Sequence, residues 1–188
     1  MSHRFFLSLL ILSVSVGVGR ASVAPEPSAR FLSALPQAEA SRALSHPHLL
    51  AESELYLGTC RFQKTKDQVR SCRSNQANFV VDYVDAFYNH ISAQENLAFL
   101  FSGAQGDPTD LIGLQSNKLR GCAWALATLN SSGPLVGPVD GLDAKTDCRR
   151  LSPSILAAAK ARASLLIAQI HEHVLSGTHG VTMLDKFR

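Results

Sequence analysis

Three sets of side chains in this 188-residue chain have types and spacings that could do chemistry. The first is "HEHVLSGTH", which sets His171, Glu172, His173 and His179 within nine positions and suggests a metal. On a helix, however, His171 and His173 point about 200° apart, whereas helical zinc sites use four-residue steps that turn both imidazoles to one ion. These histidines are expected at a solvated helix end, whose negative pole suits them, holding no metal. The second set is Asp82 and Asp85, three residues apart, like the paired acids of a hydrolase. A solvated face opposite the neighbouring apolar stripe explains them more simply. The serines form the third set, and none sits in a GxSxG or comparable nucleophile turn. No catalytic or cofactor-binding residues are therefore expected. The alternative is an exported hydrolase working through Asp82, Asp85 or the His171–His173 region.

The N-terminus carries the most specific signal. "MSHRFFLSLLILSVSVGVGRASVAPEP" has a basic start ending at Arg4, an apolar run from Phe5 to Val18, and small residues at Gly19 and Ala21. That is the layout of a cleavable export signal, with cleavage expected after Ala21. The apolar run, roughly 14 residues, is shorter than the roughly 20 that a membrane-spanning helix needs, so no membrane anchor is expected after cleavage. The whole chain has a net charge of +3; without residues 1–21, which carry Arg4 and Arg20, it falls to +1. The expected address is periplasmic or secreted.

Export decides how the four cysteines are read. Cys60, Cys72, Cys122 and Cys148 are an even set in a chain bound for an oxidising compartment, which favours disulfides over a thiol nucleophile or metal ligation. No CxxC or HxxxH supports a metal. Of the three possible pairings, Cys60–Cys72 with Cys122–Cys148 encloses two short local segments and is the one expected. Inside the first lies "CRFQKTKDQVRSCR", where Arg61, Lys64, Lys66, Arg70 and Arg73 oppose only Asp67. Such an exposed basic loop could meet an acidic protein, an anionic lipid or a polymer, or be an ordinary solvated loop. Nucleic acid is not expected for an exported chain without aromatic residues interleaved among its cations.

These residues need elements to position them, and the periodicity is helical throughout. Residues 22–48, with Pro25, Pro27, Pro36 and Pro47, read as an extended or partly ordered arm. A helix is expected from Leu49 to near Gly58. A central one spans 75–93, with Val80, Val84, Phe87, Tyr88 and Ile91 as its apolar stripe. A short helix follows from about Glu95 to Phe101, with turn chemistry at Gly103, Gly106, Asp107 and Pro108. The next starts from Ser116 as N-cap and carries Leu119, Ala123, Leu126 and Ala127 on one side. After a Gly/Pro/Asp loop, Ser152 caps a last helix with Pro153 in its first turn. Its stripe is Ile155, Leu156, Ala159, Ala163, Leu166, Ile167, Ile170 and Val174, stopping at Gly177, with residues 177–188 as a tail. No segment sustains strand alternation, so the fold class is all-α, a compact bundle or helix-hairpin array of about four to five helices over residues 49–176.

The stretch "LRGCAWALATLNSSG" places the only tryptophan, Trp124, among Gly121, Ala123, Ala125 and Ala127. Small residues around one large ring let another helix approach closely while the indole fills the gap. With "GLQSNKLRGCAWALATLNSSG", Gly113 to Gly133, the chain resembles the second half of a Sel-one-like repeat, a short tetratricopeptide-type helical pair. Gly113, Trp124 and Gly133 match its opening glycine, tryptophan and closing glycine. Asn117 stands where an acid is usual, Gly121 where alanine is usual, and Thr128 and Leu129 replace paired alanines. "ESELYLGTCRF" resembles a first half-repeat at Leu57 and Gly58, and "RLSPSILAAAKARASLLIAQI" is similar to the helix that closes such arrays. Over residues 113–173 the resemblance implies a protein-binding helical module, an adaptor or inhibitor, with no catalytic residues.

Overall fold

The computed structural model describes residues 35–60, 64–103, 113–114, 116–131 and 138–178. The export signal, residues 22–34, Arg61, the turn residues Gly106, Asp107 and Pro108, Gly133 and the chain from His179 lie outside the described residues. Seven helices occupy the rest: α1 (Gln37–Leu44), α2 (Pro47–Glu54), α3 (Lys66–Phe87), α4 (Ile91–Ser102), α5 (Lys118–Ser131), α6 (Pro138–Asp147) and α7 (Pro153–Thr178). Beyond them the only β feature among the described residues is one isolated antiparallel bridge between Leu57 and Leu114. The fold is all-α.

The helices differ in number and extent from the expected four to five for three local reasons. Pro36 and Pro47 do not break helices but open them: Pro36 is the N-cap of α1 and Pro47 the first residue of α2. At these positions a missing N–H costs nothing. The stretch read as an arm thus contributes α1, with Ala43 fully buried. Secondly, α3 starts nine residues before the expected Asn75, at Lys66, so most of the basic run is helical. Thirdly, the Gly/Pro/Asp loop contains α6, which Pro138 opens in the same way.

The central stripe is also divided between two helices. Tyr88 ends α3, Asn89 takes a left-handed conformation at φ 63°, and His90 opens α4, so Ile91 belongs to the second helix and α4 begins four residues earlier than expected. Gly103, at φ 65°, ends α4 as the turn chemistry predicted. Asn117, not Ser116, caps α5: its Oδ1 accepts from the Arg120 N–H at 3.1 Å. Ser152 caps α7 as expected, its Oγ 3.4 Å from the Ile155 nitrogen.

The core sits where α3, α4, α5 and α7 meet. Phe79, Tyr83 and Phe87 recur every four residues on α3 and are each 1 % exposed. They form a second buried stripe beside Val80 and Val84, because α3 is covered by α2, α4 and α7 at once. Burial of each such ring contributes about 1.5–3 kcal/mol. Leu97 and Phe101 from α4, Ala123 and Ala127 from α5, and Leu166 and Ile170 from α7 complete the core. Trp124, 3 % exposed, meets Phe87 edge-on at 5.3 Å and Tyr83 at 6.3 Å between ring centroids. Ile155 departs from its expected stripe and is 42 % exposed.

The small residues around Trp124 have the consequence expected of them. A Cβ at position 121 would lie 2.6 Å from the Ser102 nitrogen and 2.9 Å from the Ala98 oxygen, so Gly121 lets α5 meet the last turn of α4 backbone to backbone. Disulfides join Cys60 to Cys72 and Cys122 to Cys148, the pairing expected from sequence. The first ties the approach to α3 onto its second turn; the second ties α5 to the end of α6.

Candidate functional site

Lys66, Arg70 and Arg73 of the basic run lie in the N-terminal end of α3, with Lys64 just before it. Thr65 and Gln68 close a capping box there: Gln68 N–H donates to Thr65 Oγ1 at 3.2 Å, and Gln68 Oε1 accepts from the Thr65 N–H at 3.1 Å. Gln76 Nε2 donates to the Gly58 carbonyl at 3.0 Å. With the Cys60–Cys72 bond, the incoming chain is held to α3 at two places. Lys66, Arg70 and Arg73 follow at four- and three-residue steps, so they share one exposed face. Lys64 is exposed just before the cap. The one neighbouring acid, Asp67, lies 3.8 Å from Arg70 with both side chains more than four-fifths exposed, a pair worth little in water. Cations beside a helix N-terminus oppose its positive pole, so Lys64 and Lys66 sit where local helix stability does not favour them.

The two aspartates expected on a solvated face are both partly drawn in, Asp85 buried and Asp82 half-buried. Asp85 is 9 % exposed, and its carboxylate accepts from Arg42 of α1 at 2.7 Å. Burial still pushes its pKa up, with the Arg42 charge pulling the other way. Asp82 is half-buried and accepts from Asn96 Nδ2 at 3.2 Å; burial raises its pKa to about 6, partly offset by that hydrogen bond. The reason is α1, which covers a flank of α3 that the sequence reading left open to solvent.

The histidines divide as the helical angle requires. His171 is exposed, whereas His173 turns inward and stacks on His48 at 5.5 Å, with Tyr88 at 5.5 Å and Phe87 at 5.7 Å. His173 is therefore part of a packed seam, not of a solvated helix end. His46 completes the seam through a 2.7 Å hydrogen bond between its Nδ1 and the Tyr88 hydroxyl. Burial, then the charges of His173 and His48, push the His46 pKa down, with Asp85 opposing. Burial, then His48, lower that of His173, with Glu172 opposing. Among the described residues, no three His, Cys, Asp or Glu side chains come together so as to hold a metal ion.

A small cleft opens where Tyr56, just past α2, meets α5 and α7. Tyr56 and the buried rings of Tyr83, Phe101 and Trp124 line it together with Arg120 and Arg162. Arg120 places its guanidinium carbon 4.2 Å from the centre of the Tyr56 ring. Arg162 lies 3.8 Å from Glu52, which also accepts from the Tyr56 hydroxyl at 3.2 Å. The sequence held a signal for this cleft that the reading missed: Arg120 precedes Trp124, and Arg162 precedes Leu166, by one helical turn. His46 and His48 were missed because they fell in a segment read as an arm.

No family model, no curated protein and no solved structure matches this chain.

Proposed function

We propose that this protein is an exported, disulfide-stabilised helical module, periplasmic or secreted, that binds another protein as an adaptor or inhibitor. The observation that carries the reading is the exposed row Lys66, Arg70 and Arg73, with Lys64 beside it, on a helix end held by a disulfide and a capping box. Cations kept where the helix dipole disfavours them have a reason outside the helix, and an acidic partner surface supplies one. Pre-ordering this end lowers the entropy lost on docking. Two disulfides fit an oxidising compartment. No described helix is long and apolar enough to cross a membrane. The resemblance to Sel-one-like repeats belongs to the same reading and points to a protein partner.

The test is chemical crosslinking of the tagged protein in its own compartment, followed by purification and quantification of what travels with it. The expected result is a stoichiometric protein partner, lost from a Lys66→Glu/Arg70→Glu/Arg73→Glu variant that keeps its helical circular dichroism. Equal recovery with both proteins, or no stoichiometric partner with either, contradicts the reading.

The second reading, a hydrolase, is favoured by one observation: Asp82 has a pKa raised to about 6, in the range of a general acid. Its neighbour Asp85 is engaged by Arg42, and Asp82 itself by Asn96. An activity abolished by Asp82→Asn in a folded variant would establish this reading.

A further inference from the structure

We infer that the cleft between Tyr56, α5 and α7 binds the carboxylate of an acidic side chain from the partner protein, held between Arg120 and Arg162 with one oxygen entering. The inference rests on the protein-binding reading and gives it a second point of contact with a stated chemistry.

Charge is the first argument. Arg120 and Arg162, from different helices, line one cleft with Glu52 as the counter-ion beside them. Glu52 reaches only Arg162, at 3.8 Å, and is also engaged by the Tyr56 hydroxyl. Among the described residues no carboxylate pairs with Arg120, whose guanidinium lies over the Tyr56 face and leaves its N–H edges free for an acceptor. The cleft therefore carries one positive charge in excess. Arg120 also occupies the first turn of α5, where the helix dipole adds to the attraction for an anion.

Shape is the second. The cleft as a whole, ≈ 10 Å³, admits about one water-sized group, such as a single carboxylate oxygen. A guanidinium fork suits the planar carboxylate, and because Tyr83, Phe101 and Trp124 are buried beneath the arginines, the rest of the acidic side chain stays at the rim. Such a site takes an acidic side chain carried by a peptide backbone that stays outside.

Trp124 is the chain's only tryptophan and lines the cleft, so its fluorescence reports occupancy directly. The full-length oxidised protein is titrated with a blocked pentapeptide of glutamate, with its glutamine counterpart, and with acetate. Saturable change with the glutamate peptide, absent with the glutamine peptide, is expected. Arg120→Gln and Arg162→Gln should each weaken binding about tenfold. Glu52→Gln, which removes the competing carboxylate, should strengthen it several-fold, a gain that misfolding does not produce. Equal response to both peptides, or weaker binding by Glu52→Gln, overturns the inference. If acetate alone reproduces the response at the same concentration, the site takes free small carboxylates and the peptide assignment falls. If the glutamate peptide binds but only Lys66→Gln/Arg70→Gln/Arg73→Gln weakens it, the cleft assignment fails and the protein-binding reading stands. If the cleft binds as described while crosslinking recovers no protein, that reading fails instead, and this inference with it.

Discussion

At position 121 one absent methyl group sets how closely two helices lie. A Cβ there would press on the backbone of Ser102 and Ala98, which have no flexible side-chain end to move aside. Gly121→Ala should therefore destabilise the protein by about 1–3 kcal/mol in urea denaturation. Gly141→Ala is the control: on α6 a Cβ meets nothing within 4 Å, so the substitution should stabilise by up to about 1 kcal/mol. Asp82 gives a prediction of opposite character. Its folded pKa, about 6, exceeds the ordinary 3.8, so between these values the folded chain holds a proton that the unfolded chain has released. Its contribution to stability is thus fully present below about 3.8 and is lost as pH rises through 6. Asp82→Asn should be more stable than the parent at pH 7.5, and the difference should shrink as pH falls from 6 towards 4. The lowered pKa values of His46 and His173 act the other way, removing stability as pH falls through their ordinary 6.5. Both proteins carry those histidines, so the difference between the two curves isolates Asp82.

At the scale of elements, the two disulfides hold different parts. Each closes a short loop and should contribute about 3 kcal/mol by restricting the unfolded chain. Cys60→Ala/Cys72→Ala should also free the entry to α3, seen as faster amide exchange over 66–72. Cys122→Ala/Cys148→Ala should loosen α6 against α5 and leave the start of α3 protected. What the sequence made legible at this scale followed from strong periodicity and local chemistry: the all-α class, the Ser152–Pro153 start of α7, the cysteine pairing and the close approach at Gly121. What it hid depended on tertiary cover. Pro36 and Pro47 read as helix breakers because their use as helix openers shows only when the following turn packs, as Ala43 does. Asp82 and Asp85 read as solvated because nothing local shows that α1 lies over them. Phe79 and Tyr83 were left off the stripe because one apolar face was sought on a helix that is covered on several sides. The cleft escaped because its arginines come from α5 and α7, whose meeting no local pattern reveals.

For the whole molecule, the disulfides, the ordered basic helix end and the aromatic cleft with its two arginines form one account. On the function proposed above, export would oxidise the chain, its bonds fix the start of α3 and the end of α6, and a cationic surface would be presented to an acidic partner. Electrostatic association of this kind weakens with ionic strength, because salt screens exposed charges over about 10 Å at 0.1 M. Export is the claim on which the compartment, the oxidation and the binding surface all stand. The most direct measurement is the intact mass of the protein recovered from the cell envelope or medium under non-reducing conditions. The account predicts a chain beginning at Ser22 with the mass of two disulfides. A chain that keeps residues 1–21, stays inside the cell or carries free thiols would contradict it.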